Sequence, residues 1–174
     1  MTEQTFRLTY STMYDPPEEL HTNFEAEVAK IKANLGNEFG MIIDNQDVFT
    51  DEKFEDHSPI NTDMVLGIFQ EGGKKYADEA LASSRRAAKS WNKTPWQERV
   101  ALVRAAGNRI NERVYELGAV ISLEVGKNRM EALADAAETA DLMLYAADQV
   151  EENNGFVVKM GQDPIVGYTA TNYS

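Results

Sequence analysis

The chain has 174 residues, no cysteine and a formal net charge of −12 at neutral pH. A length of this order suits one domain, and 43% apolar residues is too many for wholesale disorder. The acidic balance excludes nucleic acid and anionic membrane surfaces as partners, since both need clustered Lys and Arg; no run approaches the ~18 apolar residues of a membrane span, and the missing thiols exclude disulfides and thiolate metal sites.

Residues 1–14 have no helical period and are expected to be extended; MTEQTFRLTY lacks a basic segment followed by an apolar core, so no secretory signal is expected and the expected compartment is the cytoplasm. Asp15-Pro16-Pro17-Glu18 predicts a helix start, with Asp15 as N-cap and Pro16 at the first helical position. Leu20, Phe24, Val28, Ile31 and Leu35 then recur at helical spacing, which predicts an amphipathic helix docked on its own protein and stopped by Gly36. FGMIIDNQDVF (residues 39–49) reads as a hairpin that turns at Asp44-Asn45-Gln46, where Asn tolerates positive φ. Gly72-Gly73 precedes a helix predicted from Lys74 to about Ser90. Its small-residue face (Ala77, Ala80, Leu81, Ser84, Ala87, Ala88) permits close packing.

The stretch from Thr94 to Gly155 is written in helix capping chemistry. Thr94, Pro95 and Gln97 make a T-x-x-Q capping box, and Val100, Val103, Gly107, Ile110, Val114, Leu117 and Ile121 make one continuous stripe, which predicts one helix as far as Gly126. Gly126 suits a left-handed C-terminal position, and Asn128 with Glu131 forms a second capping box. A second helix is therefore predicted to leave the corner at once and to stop at Gly155. FVVKM and IVGYTATNYS then read as strands about the turn Gly161-Gln162-Asp163-Pro164.

Two motifs carry a family resemblance. The corner Glu124-Val125-Gly126-Lys127-Asn128, followed by EALADAAETADLMLYAA, resembles the N-terminal region of aldehyde dehydrogenases. The upstream W-x-x-x-P-W-x-E-R run (Trp91 to Arg99) is similar to the same family, and within it the chain looks most like the 1-pyrroline-5-carboxylate (L-glutamate γ-semialdehyde) dehydrogenase branch over residues 36–174. The resemblance implies an α/β fold for the intact protein, with the present segment mainly helical and β-hairpins at 39–70 and 156–174. It implies a helical N-terminal extension (1–36), the first part of a cofactor-binding domain (37–155) and the start of an oligomerisation hairpin (156–174). Residues 54–72 would run as strand, loop at Ser58-Pro59, and second strand from Met64 to Phe69. NAD, a small-molecule aldehyde substrate and a homo-oligomer are implied for the intact enzyme. The family reaction uses a cysteine nucleophile, and its dinucleotide motifs and general-base glutamate follow this region. The chain is therefore expected to be a fragment that does no chemistry alone, with no catalytic or cofactor-binding residue of its own. A free-standing helical interaction module and a regulatory subunit without catalysis are the alternatives.

Few residues are candidates for chemistry. Gly126-Lys127 lacks the earlier glycine and the following Ser or Thr of a phosphate loop, and reads as one helix end running into the next start. His21 and His57, the two histidines, stand far apart and predict no metal site. Glu131, Asp135, Glu138 and Asp141 fall on one helical face, which reads as a solvated acidic stripe. The resemblance implies a sharper role for Glu138: in the pyrroline-carboxylate branch a glutamate at a similar place faces the aldehyde substrate and can pair with its α-ammonium group.

Overall fold

The computed structural model describes residues 15–159 and 171–173. Helix α1 (Glu18–Lys32) is followed by short strands β1 (Asn37–Phe39), β2 (Met41–Ile43), β3 (Gln46–Val48), β4 (Lys53–His57) and β5 (Val65–Gln70). Helices α2 (Lys74–Trp91), α3 (Trp96–Glu112), α4 (Val114–Val125) and α5 (Arg129–Glu152) come next, and then strands β6 (Val157–Lys159) and β7 (Thr171–Tyr173). The expected extension over residues 1–14 and the turn at 161–164 lie outside the described residues. No helix among those described is long and apolar enough to cross a membrane.

The core forms where α1 lies on α4 and α4 on α5. Leu20 and Phe24 of α1 meet Ala119 of α4 and Leu133 of α5, with Val28, Ile31, Val114, Tyr115 and Met130 around them. The α1 stripe thus does what its spacing predicts. Gly118 allows the close approach of α4 and α5, because a Cβ there would stand 2.7 Å from Leu133 Cδ2. Helix α3 lies along α5, its Gly107 facing Leu144.

Three predicted boundaries are corrected. Helix α1 begins at Glu18 with Pro17 extended (φ −66°, ψ 151°), so Asp15 does not cap it. Pro16 precedes a proline, and a residue in that position is pushed out of the helical region. Thr94 is likewise not a cap: Pro95 is extended, α3 starts at Trp96, and the Thr94 hydroxyl donates to the Ser90 carbonyl (3.3 Å) at the end of α2. The single helix predicted up to Gly126 is two, broken at Arg113 (φ −111°, ψ 19°). The break re-phases the stripe, so that Val100 and Gly107 serve the α5 side while Val114 joins the core with α1.

The β region has the hairpin expected at 39–49 and the strand–loop–strand expected after it, and adds a third strand, β1. The β2–β3 hairpin turns through Asp44 and Asn45, both left-handed (φ 56° and 58°), the pattern of a type I′ turn. Separately, β4 pairs antiparallel with β5, as the strand–loop–strand expectation required, and β1 adds to β5 in parallel, giving the order β1-β5-β4. Strand β6 pairs antiparallel with β7, as a terminal hairpin requires. Helix α2 buries none of its residues, and the small-residue face that permits close packing lies uncovered among the described residues. It is tied to the β2–β3 turn by Asp44, which accepts hydrogen bonds from Ser83 (2.8 Å) and Arg86 (3.1 Å).

Candidate functional site

The α4–α5 corner is built from the ends of two helices, and each free end has a partner. A helix leaves its last carbonyls without intrahelical donors. Gly126, left-handed at φ 79°, turns its N–H onto the Ser122 carbonyl (3.1 Å), a conformation that costs a residue with a Cβ about 1–2 kcal/mol. The Leu123 carbonyl takes a hydrogen bond from the hydroxyl of Ser58 (2.5 Å), which is wholly buried in the β4–β5 loop. Pro59 of the same loop packs against Gly126. The Ser122 hydroxyl donates to the Lys127 carbonyl (2.8 Å), and the Asn128 side chain accepts from the Glu131 N–H (3.0 Å), which is the N-cap predicted for α5.

Helix α5 buries Ala132, Leu133, Ala136, Ala140 and Ala147, and the predicted acidic stripe lies on the opposite side. Glu131 and Glu138 are exposed, and Asp135 is half-buried. The Lys127 ammonium is hydrogen-bonded to Asp135 across the corner. That hydrogen bond first, with the charges of Asp135, Glu131 and Glu138 behind it, holds Lys127 above the usual lysine range. Glu138 has no hydrogen-bond or ion-pair partner among the described residues. The stripe is therefore uneven: one carboxylate is engaged by a cation, and another, three residues on, is open. The Lys127–Asp135 pair was not visible in the sequence, because it spans a corner whose angle no local pattern sets.

The other candidates resolve as structure. His21 Nδ1 accepts from Arg129 (2.6 Å), whose guanidinium also pairs with Glu25 and lies over the Phe24 ring (4.9 Å). His57 meets the Thr62 carbonyl (2.7 Å) and Glu55 (3.2 Å). No group of three or more His, Cys, Asp or Glu among the described residues is placed to hold a metal. The Gly126-Lys127 corner does not suit a dinucleotide phosphate either. Its lysine is on Asp135, and the start of α5 is capped by Asn128.

Comparison with known proteins follows the same residues. The aldehyde dehydrogenase family profile matches residues 47–172. The 1-pyrroline-5-carboxylate dehydrogenase of Geobacillus sp. (strain WCH70) is 35% identical over 127 residues, which is 73% of this chain and 25% of that protein. An arginine-to-alanine point mutant of Thermus thermophilus 1-pyrroline-5-carboxylate dehydrogenase superposes with a TM-score of 0.82 at 29% identity, over 94% of this chain and 32% of that one. A Thermus 1-pyrroline-5-carboxylate dehydrogenase with bound NAD gives a TM-score of 0.81 at 28% identity, again over 94% of this chain and 32% of that one. The chain thus spans about a quarter of the curated relative's length and about a third of the solved structures'. Capped corner, acidic α5 and strands β4 and β5 all fall within the matched region: this chain belongs to the aldehyde dehydrogenase family.

Proposed function

We propose that this chain supplies the first part of the cofactor-binding domain of an NAD-dependent aldehyde dehydrogenase, a cytoplasmic homo-oligomer that oxidises L-glutamate γ-semialdehyde to glutamate in proline degradation. The observation that carries the reading is the open carboxylate of Glu138 on α5, in a chain whose relatives are named for 1-pyrroline-5-carboxylate. An α-ammonium group is what distinguishes this aldehyde from a simple aliphatic one, and an open carboxylate can bind it by a charge-assisted hydrogen bond. NAD is supported by the Thermus relative that binds it. The dinucleotide is assigned to residues outside this chain, and residues 1–36 and 156–174 are assigned to an N-terminal extension and to assembly. With no cysteine in its 174 residues, the chain lacks the thiol that the family reaction needs. The interaction-module and regulatory-subunit alternatives draw no support from relatives named as enzymes.

The test is NADH formation by the protein encoded by the full reading frame that contains this chain. It should turn over glutamate γ-semialdehyde, and Glu138→Ala should lower kcat/KM for that aldehyde about tenfold to a hundredfold more than for an aliphatic aldehyde. Equal losses on both would remove Glu138 from the substrate site. Activity on aliphatic aldehydes alone would leave the family assignment and overturn the substrate. The 174-residue chain by itself should form no NADH above a protein-free blank, and turnover there would overturn the division of labour.

A further inference from the structure

Asp135 and Glu138 stand three residues apart on one face of α5, with Cβ atoms about 5–6 Å apart. To an ammonium ion the two carboxylates are nearly alike. What separates them here is Lys127, whose ammonium is hydrogen-bonded to Asp135 and reaches Glu138 only through its charge, without a contact. The lysine is held at its base as well. Its carbonyl accepts from Ser122 (2.8 Å), and its neighbours are the left-handed Gly126 and the N-cap Asn128. A side chain that springs from a fixed backbone loses less freedom when its tip is bound.

We propose that Lys127 is a specificity-determining positioning residue: by occupying Asp135, it leaves Glu138 as the carboxylate that receives the α-ammonium group of the substrate. This rests on the reading of Glu138 given above. Without Lys127, Asp135 competes for the same ammonium. Three residues of helix are about 4.5 Å, and an aldehyde displaced by that much lies out of reach of its nucleophile. Substrate on Asp135 is bound and idle. Such idle binding lowers kcat and KM together and leaves their ratio nearly unchanged, a split that simple damage to the corner does not produce.

The experiment is steady-state kinetics on the full-length enzyme with glutamate γ-semialdehyde and with an aliphatic aldehyde that has no amino group. Lys127→Met should lower both kcat and KM for the amino aldehyde by about tenfold and leave the aliphatic aldehyde unchanged. Asp135→Asn should do the reverse, raising KM with kcat kept, because the released ammonium of Lys127 then competes for Glu138. The double variant Lys127→Met/Asp135→Asn should return both constants to near the parent values. If the double variant is as impaired as Lys127→Met, or if both aldehydes suffer alike, the pair is only a staple between α4 and α5 and the proposal fails. Glu138→Gln separates the two levels. A selective loss there with no split in Lys127→Met overturns only the role of Lys127. No selective loss there overturns the reading of Glu138 itself.

Discussion

Helices α1, α4 and α5 on one side and helix α2 on the other are made of similar helix-forming residues, yet they are held in different ways. In the first group Leu20, Phe24, Ala119 and Leu133 are almost wholly removed from water, and each helix covers the apolar face of another. Helix α2 buries nothing. Exposed pairs such as Lys74–Asp78 (2.5 Å) line its surface, and in exposed helices such pairs contribute about 0.3–0.5 kcal/mol each. The three-stranded sheet is intermediate: Phe39, Phe69 and Phe54 stack at 5.3 and 5.8 Å, and the two outer rings remain about half exposed. A sequence can thus specify a helix in two ways, through a partner that covers it or through its own propensity. In the first case a core substitution has a large effect, and in the second almost none.

The contrast is most easily broken at Leu133. It is 2% exposed and packs against Gly118 and the α1 cluster. Leu133→Ala should destabilise the chain by about 2–5 kcal/mol, read from urea unfolding, through lost apolar burial and the cavity left behind. A loss below about 1 kcal/mol would mean that α1, α4 and α5 do not form the stable half. Ser58→Ala comes next. It leaves the Leu123 carbonyl at the end of α4 buried without its donor, at a cost of about 1–3 kcal/mol. Hydrogen exchange should quicken in the last turn of α4 and leave α2 as it was.

Features decided within a few residues were readable beforehand. The αL cap at Gly126, the Asn128 cap, the Asp44-Asn45 turn and the α1 stripe all follow from local sterics or one period. The missed start of α1 was local too: Pro16 before Pro17 contains the reason, and the stronger-looking Asp15 cap masked it. Other features lay beyond local pattern. The break at Arg113 lets α4 meet α1 while both it and α3 pack on α5, and one unbroken stripe cannot report that. Ser58 and Leu123 are 65 positions apart, and the parallel pairing of β1 with β5 depends on where α1 delivers the chain. At the candidate site, the acidic face of α5 was legible from spacing alone, whereas the pairing of Asp135 with Lys127 needed the corner.

A smaller effect is expected at the sheet, in acid. Glu38 accepts from Lys53 (2.8 Å) of β4 and from the buried Gln70 (3.0 Å) of β5, so it ties β1 across the other two strands. The Lys53 hydrogen bond, and after it that of Gln70, holds the Glu38 carboxyl below the usual range. A carboxylate depressed in the folded state adds stability above its unfolded value, and that stability is lost as pH falls through the folded value. The window therefore opens below about pH 4.3, the ordinary glutamate value. Melting temperatures measured from about pH 6 down to about pH 3 should fall more steeply for the parent than for Glu38→Gln. Parallel curves would show that Glu38 is not the tie.

The smallest effect is expected at Leu81, and it sharpens the comparison most. Leu81 sits on the small-residue face of α2 at 51% exposure. Alanine is at least as good a helix former as leucine, and substitutions away from buried features usually stay within about 0.5 kcal/mol. Leu81→Ala should therefore leave the unfolding of the isolated chain unchanged within that margin. Under the function proposed above, the same face meets further parts of the cofactor domain in the full-length protein. There the substitution removes buried methyl groups and should cost about 2–5 kcal/mol. The difference between the two measurements reads the cover on α2 directly. A null result in both contexts would mean that α2 is a solvated helix in the whole enzyme, held by its own propensity and by Asp44. A large loss in the isolated chain would mean that copies of the chain already cover this face for one another, and sedimentation of the same sample would then show association that Leu81→Ala relieves.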